Sequence, residues 1–344
     1  MIILFLLLYG IMVRTLCLHK EGIDGNYLSK ENTQVIKGIF IIIVFLSHIR
    51  AYAAYSTISD QFVISILSYL GQLMVAMFLF CSGYGIYESI KRKGEGYIRS
   101  FPKNRIGKTF FDFSLAIFLF LLLNFLIGKS FSIKTIVLSF TGWESVGNSA
   151  WYMFAIFTLY IIVYVCFTIC RKNNFFAIVL VSVSSLLYVY VMSKVKENWW
   201  SDTYLCFVFG MWYSYFNDWI NKLLKKCKTS HYCIILIGVS VGYFILSQYR
   251  YRRIMAFNIA SIAFCLLIVV LMMKISFKSK ILSWCGENLF WIYILQRIPM
   301  IFFQHVGLNH YNKYIYLYIC VLATGVLTVV MAEISGRLKQ KMWK

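Results

Sequence analysis

Apolar residues run along this chain in long unbroken stretches, and polar residues gather between them. The runs are roughly 18–25 residues long, enough to cross a hydrocarbon core of about 30 Å. They extend over Ile2–Val13, Val35–Tyr52, Phe62–Tyr87, Phe110–Ile127, Trp151–Cys170, Phe175–Met192, Thr203–Ile220, Tyr232–Gln248, Met255–Met273, Ile281–Phe303 and Tyr314–Ile334. The first is short and ends at Arg14, and it lacks the basic leader and small-residue cleavage site of a signal peptide. In lipid every backbone N–H and C=O must be satisfied within the protein. Runs without two-residue alternation therefore predict helices and not a barrel. Tyr and Trp cluster near the run ends, as interfacial anchors do. The pattern predicts an all-α polytopic membrane protein with ten core helices and one extra N-terminal helix.

Composition agrees. Sixty per cent of the 344 residues are hydrophobic and 14% are charged, against about 25% charged in soluble domains. No soluble domain, low-complexity linker or internal repeat interrupts the spans. The expected organisation is an N-terminal helix and cytoplasmic loop over 1–34, a transmembrane domain over 35–334, and a basic cytoplasmic tail over 335–344. The net charge of +21 invites a nucleic-acid reading. The basic residues, however, lie between spans and not on one soluble face. Threading eleven spans with the C-terminus inside puts 24 of the 34 Lys and Arg residues on the inner side. The expectation is thus a multi-pass protein of the cell inner (plasma) membrane with a cytoplasmic C-terminus, a lipid bilayer as its medium and no nucleic-acid partner. The ten cysteines lie mostly inside apolar runs. Cys166 and Cys170 sit four apart with no His or carboxylate to join them, so buried thiols are expected and no metal.

An ionisable group inside a span is a functional hypothesis. His48 lies at the end of VIKGIFIIIVFLSHI, and Lys37 opens the same helix. Eleven residues separate them, about 16–17 Å along the axis and close to three whole turns. One helix thus presents a cation near one face and an imidazole deep toward the other. A ligand with anionic phosphates and a reactive group on a long arm matches that spacing, and acyl-coenzyme A has that shape. Between Lys91 and Lys108 lie seven basic residues in eighteen, partly explained by topology. Arg105 and Lys108, three apart at the start of a helix, are expected to share a face and to suit phosphate. The segment Phe78–Gly85 carries Ser82, Gly83 and Gly85, small enough for close helix approach. Trp284–Met300 holds Glu287, Gln296 and Arg297 in or near one span. His19 and Asp24 form an H-x4-D pattern in a short charged loop, expected by chance. No P-loop, nucleophile elbow, HExxH or GxGxxG is present.

Several of these segments together resemble one family, the integral membrane acyltransferase 3 family of bacterial envelope O-acyltransferases. The resemblance runs from Val35 to about Phe303. Its elements occur in the family's order: Lys37 and His48, Phe78–Gly85, Arg105 and Lys108, Trp151 and Tyr152, Gly210 and Met211, and Gly286–Tyr293. The chain departs from the family where Lys37 and Lys108 replace Arg, where Gln296 replaces His, and where Leu289 replaces Ser. Lysine keeps the charge but loses the planar fork. The resemblance implies transfer of an acyl group, acetyl being the expected one, from acyl-CoA (acetyl-CoA) to a hydroxyl of an envelope polysaccharide, another glycan or a lipid-linked sugar. His48 would be catalytic, as general base or as nucleophile, and Lys37, Arg105 and Lys108 would hold the donor. Ser82 and Tyr84 are candidates for the oxyanion. Glu144, with Trp143 in the loop Gly128–Ala150, is a candidate for the sugar. Trp151 and Gln296 complete the candidate support. Three other readings are a lipid-linked sugar flippase or transporter without acyl transfer, a membrane O-acyltransferase of the other large class, whose histidine comes late in the chain, and a structural or sensory protein.

Overall fold

The computed structural model describes residues 1–19, 22–171, 173–224 and 228–343. The chain enters as α1 (Ile2–Thr15) and, past a short strand, rises as α2 (Lys30–Ile49), capped at its start by the Ser29 hydroxyl on the amide of Asn32. Next come α3 (Ile58–Leu70) and α4 (Leu73–Lys93), then α5 (Glu95–Phe101), a π-helical turn over Pro102–Gly107, and α6 (Lys108–Leu126). A short α7 (Ile133–Ser139) precedes α8 (Ala150–Ile169), α9 (Asn174–Val195), α10 (Leu205–Leu224), α11 (Thr229–Tyr249) and α12 (Ile254–Met272). The chain closes with α13 (Lys280–Glu287), α14 (Leu289–Leu295), α15 (Arg297–His305), the single turn α16 (Leu308–Tyr311) and α17 (Lys313–Met342).

Among the described residues, eight segments are long and apolar enough to cross a bilayer: α2, α4, the rod Glu95–Leu126, α8, α9, α11, α12 and α17. The protein is an all-α polytopic membrane protein. α10 is as long, but its second half carries Asn217, Asp218, Asn221 and Lys222. α11 buries little, leaving Ile234, Ile237, Val241, Phe244 and Ile245 outward. Such a face suits hydrocarbon.

Two expected spans are not single helices. Phe62–Tyr87 divides at Gly71, whose φ of +33° ends α3 before α4 begins. Ile281–Phe303 breaks at Asn288 and at Gln296 into α13, α14 and α15. The Asn288 amide side chain bonds back to the Trp284 carbonyl at 3.0 Å and that of Gln296 to the Tyr293 carbonyl at 2.9 Å. Side chains that take backbone carbonyls in this way compete with the helix ladder.

The N-terminal helix joins the two ends of the bundle. The Met1 ammonium meets Asp60 at 3.0 Å, at the start of α3, where Lys313 of α17 also approaches to 3.7 Å. At its other end Leu16–Leu18 pairs antiparallel with Ile275–Phe277, with Leu16 opposite Phe277. α1 is therefore antiparallel to α2. Its 14 residues reach about 21 Å.

Two seams of backbone-to-backbone packing fix the centre. A Cβ on Gly38 of α2 would overlap the Leu282 carbonyl of α13, and one on Gly286 would overlap the Gln34 carbonyl. In the same way Gly83 of α4 abuts the Phe207 carbonyl and Gly210 of α10 abuts that of Phe80. Glycine is required at these four positions because no side chain fits between the backbones. The seams hold α2 against α13 and α4 against α10, leaving the other faces of α2 and α4 to line a chamber.

Candidate active site

That chamber lies between α2, α4, α8, α14 and the start of α6, with a volume of about 340 Å³. α4 contributes Phe78, Cys81, Ser82, Gly85 and Ile86, spaced i, i+3, i+4, i+7, i+8 on one helical face. α8 contributes Tyr152, Ile156 and Tyr160, again one face, and α14 contributes Leu289, Phe290 and Tyr293. Lys37, Arg105 and Asp112 are its charged groups. A Cβ on Gly85 would meet nothing within 4 Å, so its missing side chain leaves open space. Gly83, two residues away, is given over to the α10 seam.

Charge in the chamber is positive. Half-buried Lys37 has no hydrogen bond or ion pair among the described residues. Arg105 gives its Nε to the Tyr97 hydroxyl at 2.9 Å. Its terminal nitrogens have no protein partner among the described residues. Asp112 is already satisfied, by Lys339 Nζ of α17 at 2.6 Å and by the Ser335 hydroxyl. Two unneutralised cations in a chamber walled by aromatic rings make a seat for an anion, because charge held away from water demands a counter-charge.

His48 stands three turns beyond Lys37 on the unbroken α2. It is not on the chamber wall. The Tyr293 ring, which is, lies with its centroid 6.2 Å from that of the imidazole and 5.0 Å from that of Tyr152. Tyr293 is thus the partition between the cationic chamber and the histidine. Around His48 several buried polar atoms lack partners: its own Nδ1, Ser47 Oγ, Gln296 Oε1 and Arg297 Nε. They sit on adjacent residues of α2 and of the α14–α15 break, which pack together. Buried polar atoms in native proteins are almost always satisfied, by protein, water or ligand, so these atoms are available to a polar partner. Arg297 and Arg50 are the charged neighbours of His48. Arg297 Nη1 reaches the Gly147 carbonyl at 3.5 Å.

The other candidates fall in different places. Ser82 lines the chamber. Tyr84 turns to the α10 side, its ring 6.3 Å from Phe80 and 6.4 Å from Tyr213. Lys108 does not line the chamber, and the expectation that it shares a face with Arg105 is corrected. The π turn over Pro102–Gly107 is wider than an α turn, so three residues no longer return to one side. Trp151 packs edge-on against Tyr152 at 5.8 Å, and it is Tyr152 that reaches the chamber. Gln296 is fully buried at the α14–α15 break, with its Nε2 on the Tyr293 carbonyl. Glu144 lies in the loop after α7, loosely paired with Lys196 at 3.9 Å, and the Lys196 ammonium stands 4.2 Å from the Trp143 ring. His19 and Asp24 do meet, at 3.4 Å. With His19 also near the Ser276 hydroxyl, they tie the linker to the strand Ile275–Phe277. Tyr97, Asp112, Tyr160 and Lys339 were not foreseen. Tyr97 and Asp112 flank the π turn, and Lys339 is 227 residues from its partner.

A helical membrane bundle with an internal cationic chamber and a partly buried histidine behind it is built as a membrane transferase would be. A model of the acyltransferase domain family matches residues 32–333, most of the chain and further than the resemblance to about Phe303, since it takes in α16 and most of α17. The chain belongs to the acyltransferase 3 family and is a membrane acyltransferase. No curated protein matches it, and no solved structure does.

Proposed function

We propose that the protein moves an acyl group, acetyl by preference, from acyl-CoA to a hydroxyl of an envelope polysaccharide or other glycan. The carrying observation is the placement of two free cations, Lys37 and Arg105, in one chamber whose far wall, Tyr293, touches the histidine compartment. Lys37 and Arg105 would take the donor's phosphates. The pantetheine arm would follow the α2 face for the 16–17 Å, roughly, that separate Lys37 from His48, and turn Tyr293 aside. The Lys37 end would then face the cytosol and the His48 end the outside of the inner membrane.

At His48 the chemistry is acyl transfer. The acceptor oxygen attacks the thioester carbonyl, a C–O bond forms, the C–S bond breaks, and the imidazole passes the hydroxyl proton to the departing thiolate. By the nucleophilic route the imidazole carries the acyl group between two such steps. Among the described residues no carboxylate bonds the imidazole Nδ1, so none of them completes a triad that would fix its tautomer. Ser82 in the chamber and the unpartnered Arg297 Nε would be the candidate donors to the negative charge that develops.

The test is transfer of labelled acetate from acetyl-CoA by purified His48→Ala protein in lipid nanodiscs. Loss of a general base predicts a fall of about 10²–10⁴-fold in rate with donor binding retained. Wild-type transfer would refute the assignment.

A further inference from the structure

An open cavity of about 760 Å³ lies at the other end of α2, where the chain leaves His48. Its walls are Arg50–Ala54 and the turn joining α15 to α17, from Asn309 to Tyr314, with Gln304. Its floor is tied to the histidine compartment. The Tyr52 carbonyl accepts from Asn309 Nδ2 at 2.8 Å and from Gln304 Nε2 at 3.5 Å, and Tyr52 has Arg297 as its charged neighbour. Among the described residues, two cations line the cavity and no carboxylate does. Arg50 has, among the described residues, only neutral partners, the Ser68 hydroxyl at 2.5 Å and the Ile64 carbonyl at 3.4 Å. Lys313 stands 3.7 Å from Asp60, but that carboxylate already holds the Met1 ammonium at 3.0 Å. Asn309 Oδ1 is buried there without a partner. The N-terminus of the 30-residue α17 adds positive partial charge at the same wall.

We infer that this cavity seats the acyl acceptor, and that the acceptor is a sugar carrying an anionic group, a carboxylate or a phosphate, held by Arg50 and Lys313 with its hydroxyl toward His48. The inference rests on the acyl-transfer reading. It adds to that reading a chemical class of substrate and a second chamber on the far side of the histidine from the donor. A neutral sugar would leave Arg50 facing only neutral groups, and Lys313 sharing the one Asp60 carboxylate with the Met1 ammonium, in a concave, polar site. An anionic one gains charge-assisted hydrogen bonds from both.

The experiment measures equilibrium binding of glucuronic acid, glucose 1-phosphate and glucose to the full-length protein in phosphatidylcholine nanodiscs, where no anionic headgroup competes. One or both anionic sugars are expected to bind roughly tenfold or more tightly than glucose, the effect of a charge-assisted contact. The preference is expected to vanish in Lys313→Gln and to persist in Lys313→Arg. Binding of glucuronic acid alone assigns a carboxylate, and binding of glucose 1-phosphate alone assigns a phosphate. Equal binding of glucose, no binding of either anion, or an anion preference unchanged in Lys313→Gln would overturn the inference. CoA binding at the opposite end, measured on the same samples, reports that the variant is folded. Acetate transfer is read separately. Anion binding without transfer would count against the acyl-transfer reading alone, and transfer to neutral glycans without anion preference against this inference alone.

Discussion

Replacing Arg105 with alanine is the most informative perturbation of the donor chamber. Arg105 is oriented by one bond, from its Nε to the Tyr97 hydroxyl at 2.9 Å, which leaves its terminal nitrogens for a ligand. A hydrogen bond to a charged group contributes about 1.5–3 kcal/mol when a partner is lost from a partly buried site. Arg105→Ala should therefore weaken CoA binding by roughly 10- to 150-fold. Tyr97→Phe removes only the orienting bond, a neutral partner contributing about 1 kcal/mol, so roughly fivefold is expected. Arg105→Lys keeps the charge but not the fork and should fall between the two. Lys103, two residues earlier and exposed, is the control, since an exposed charge is screened and Lys103→Gln should change affinity by less than about threefold. Calorimetric titration of CoA into nanodisc-embedded protein reads all four variants. An Arg105→Ala affinity equal to wild type, or a Lys103→Gln loss as large as that of Arg105→Ala, would show that the phosphates sit elsewhere.

Three further outcomes follow from the packing and from one buried acid. Gly38→Val forces a side chain onto the Leu282 backbone and should cost about 3 kcal/mol or more, the upper range for overpacking, seen as loss of the folded species in a detergent melting curve. Gly85→Val enters open space, so the protein should melt near the wild-type temperature while CoA binding falls about tenfold or more as the chamber fills. Asp202, in the turn before α10, has its carboxyl pushed by burial from 3.8 up to about 8, with its backbone amide opposing. The folded chain then holds a proton that the unfolded chain releases above 3.8. Stability should fall as pH rises from about 4 to 8, by an amount on the order of a few kcal/mol, and Asp202→Asn should flatten the melting-temperature profile over that window.

What the sequence made legible was the periodic and the local. Lys37 and His48 were related by helical spacing alone, and α2 runs unbroken between them. The helical class and most spans followed from apolar run length. The breaks did not, because Gly71, Asn288 and Gln296 interrupt runs that stay apolar on both sides. Lys108 was misplaced beside Arg105 because nothing in PKNRIGK signals a π turn to a count based on α geometry. Asp112 carried no signal in the sequence, because its partners Ser335 and Lys339 lie on α17, 223 and 227 residues away. The cavity beyond His48 joins Arg50 to Lys313, residues whose proximity is decided wholly by how α3, α15 and α17 pack. Tyr293 stood inside a recognised segment, yet only packing makes it the partition.

The most direct measurement is an experimental structure of the protein in nanodiscs with CoA bound. It should show the diphosphate against Lys37 and Arg105, the pantetheine along α2, and the thiol past a rotated Tyr293 within reach of the His48 imidazole. CoA lodged outside the chamber, or a thiol ending on the Lys37 side of an unmoved Tyr293 ring, would contradict the assignment of His48 to the transfer step.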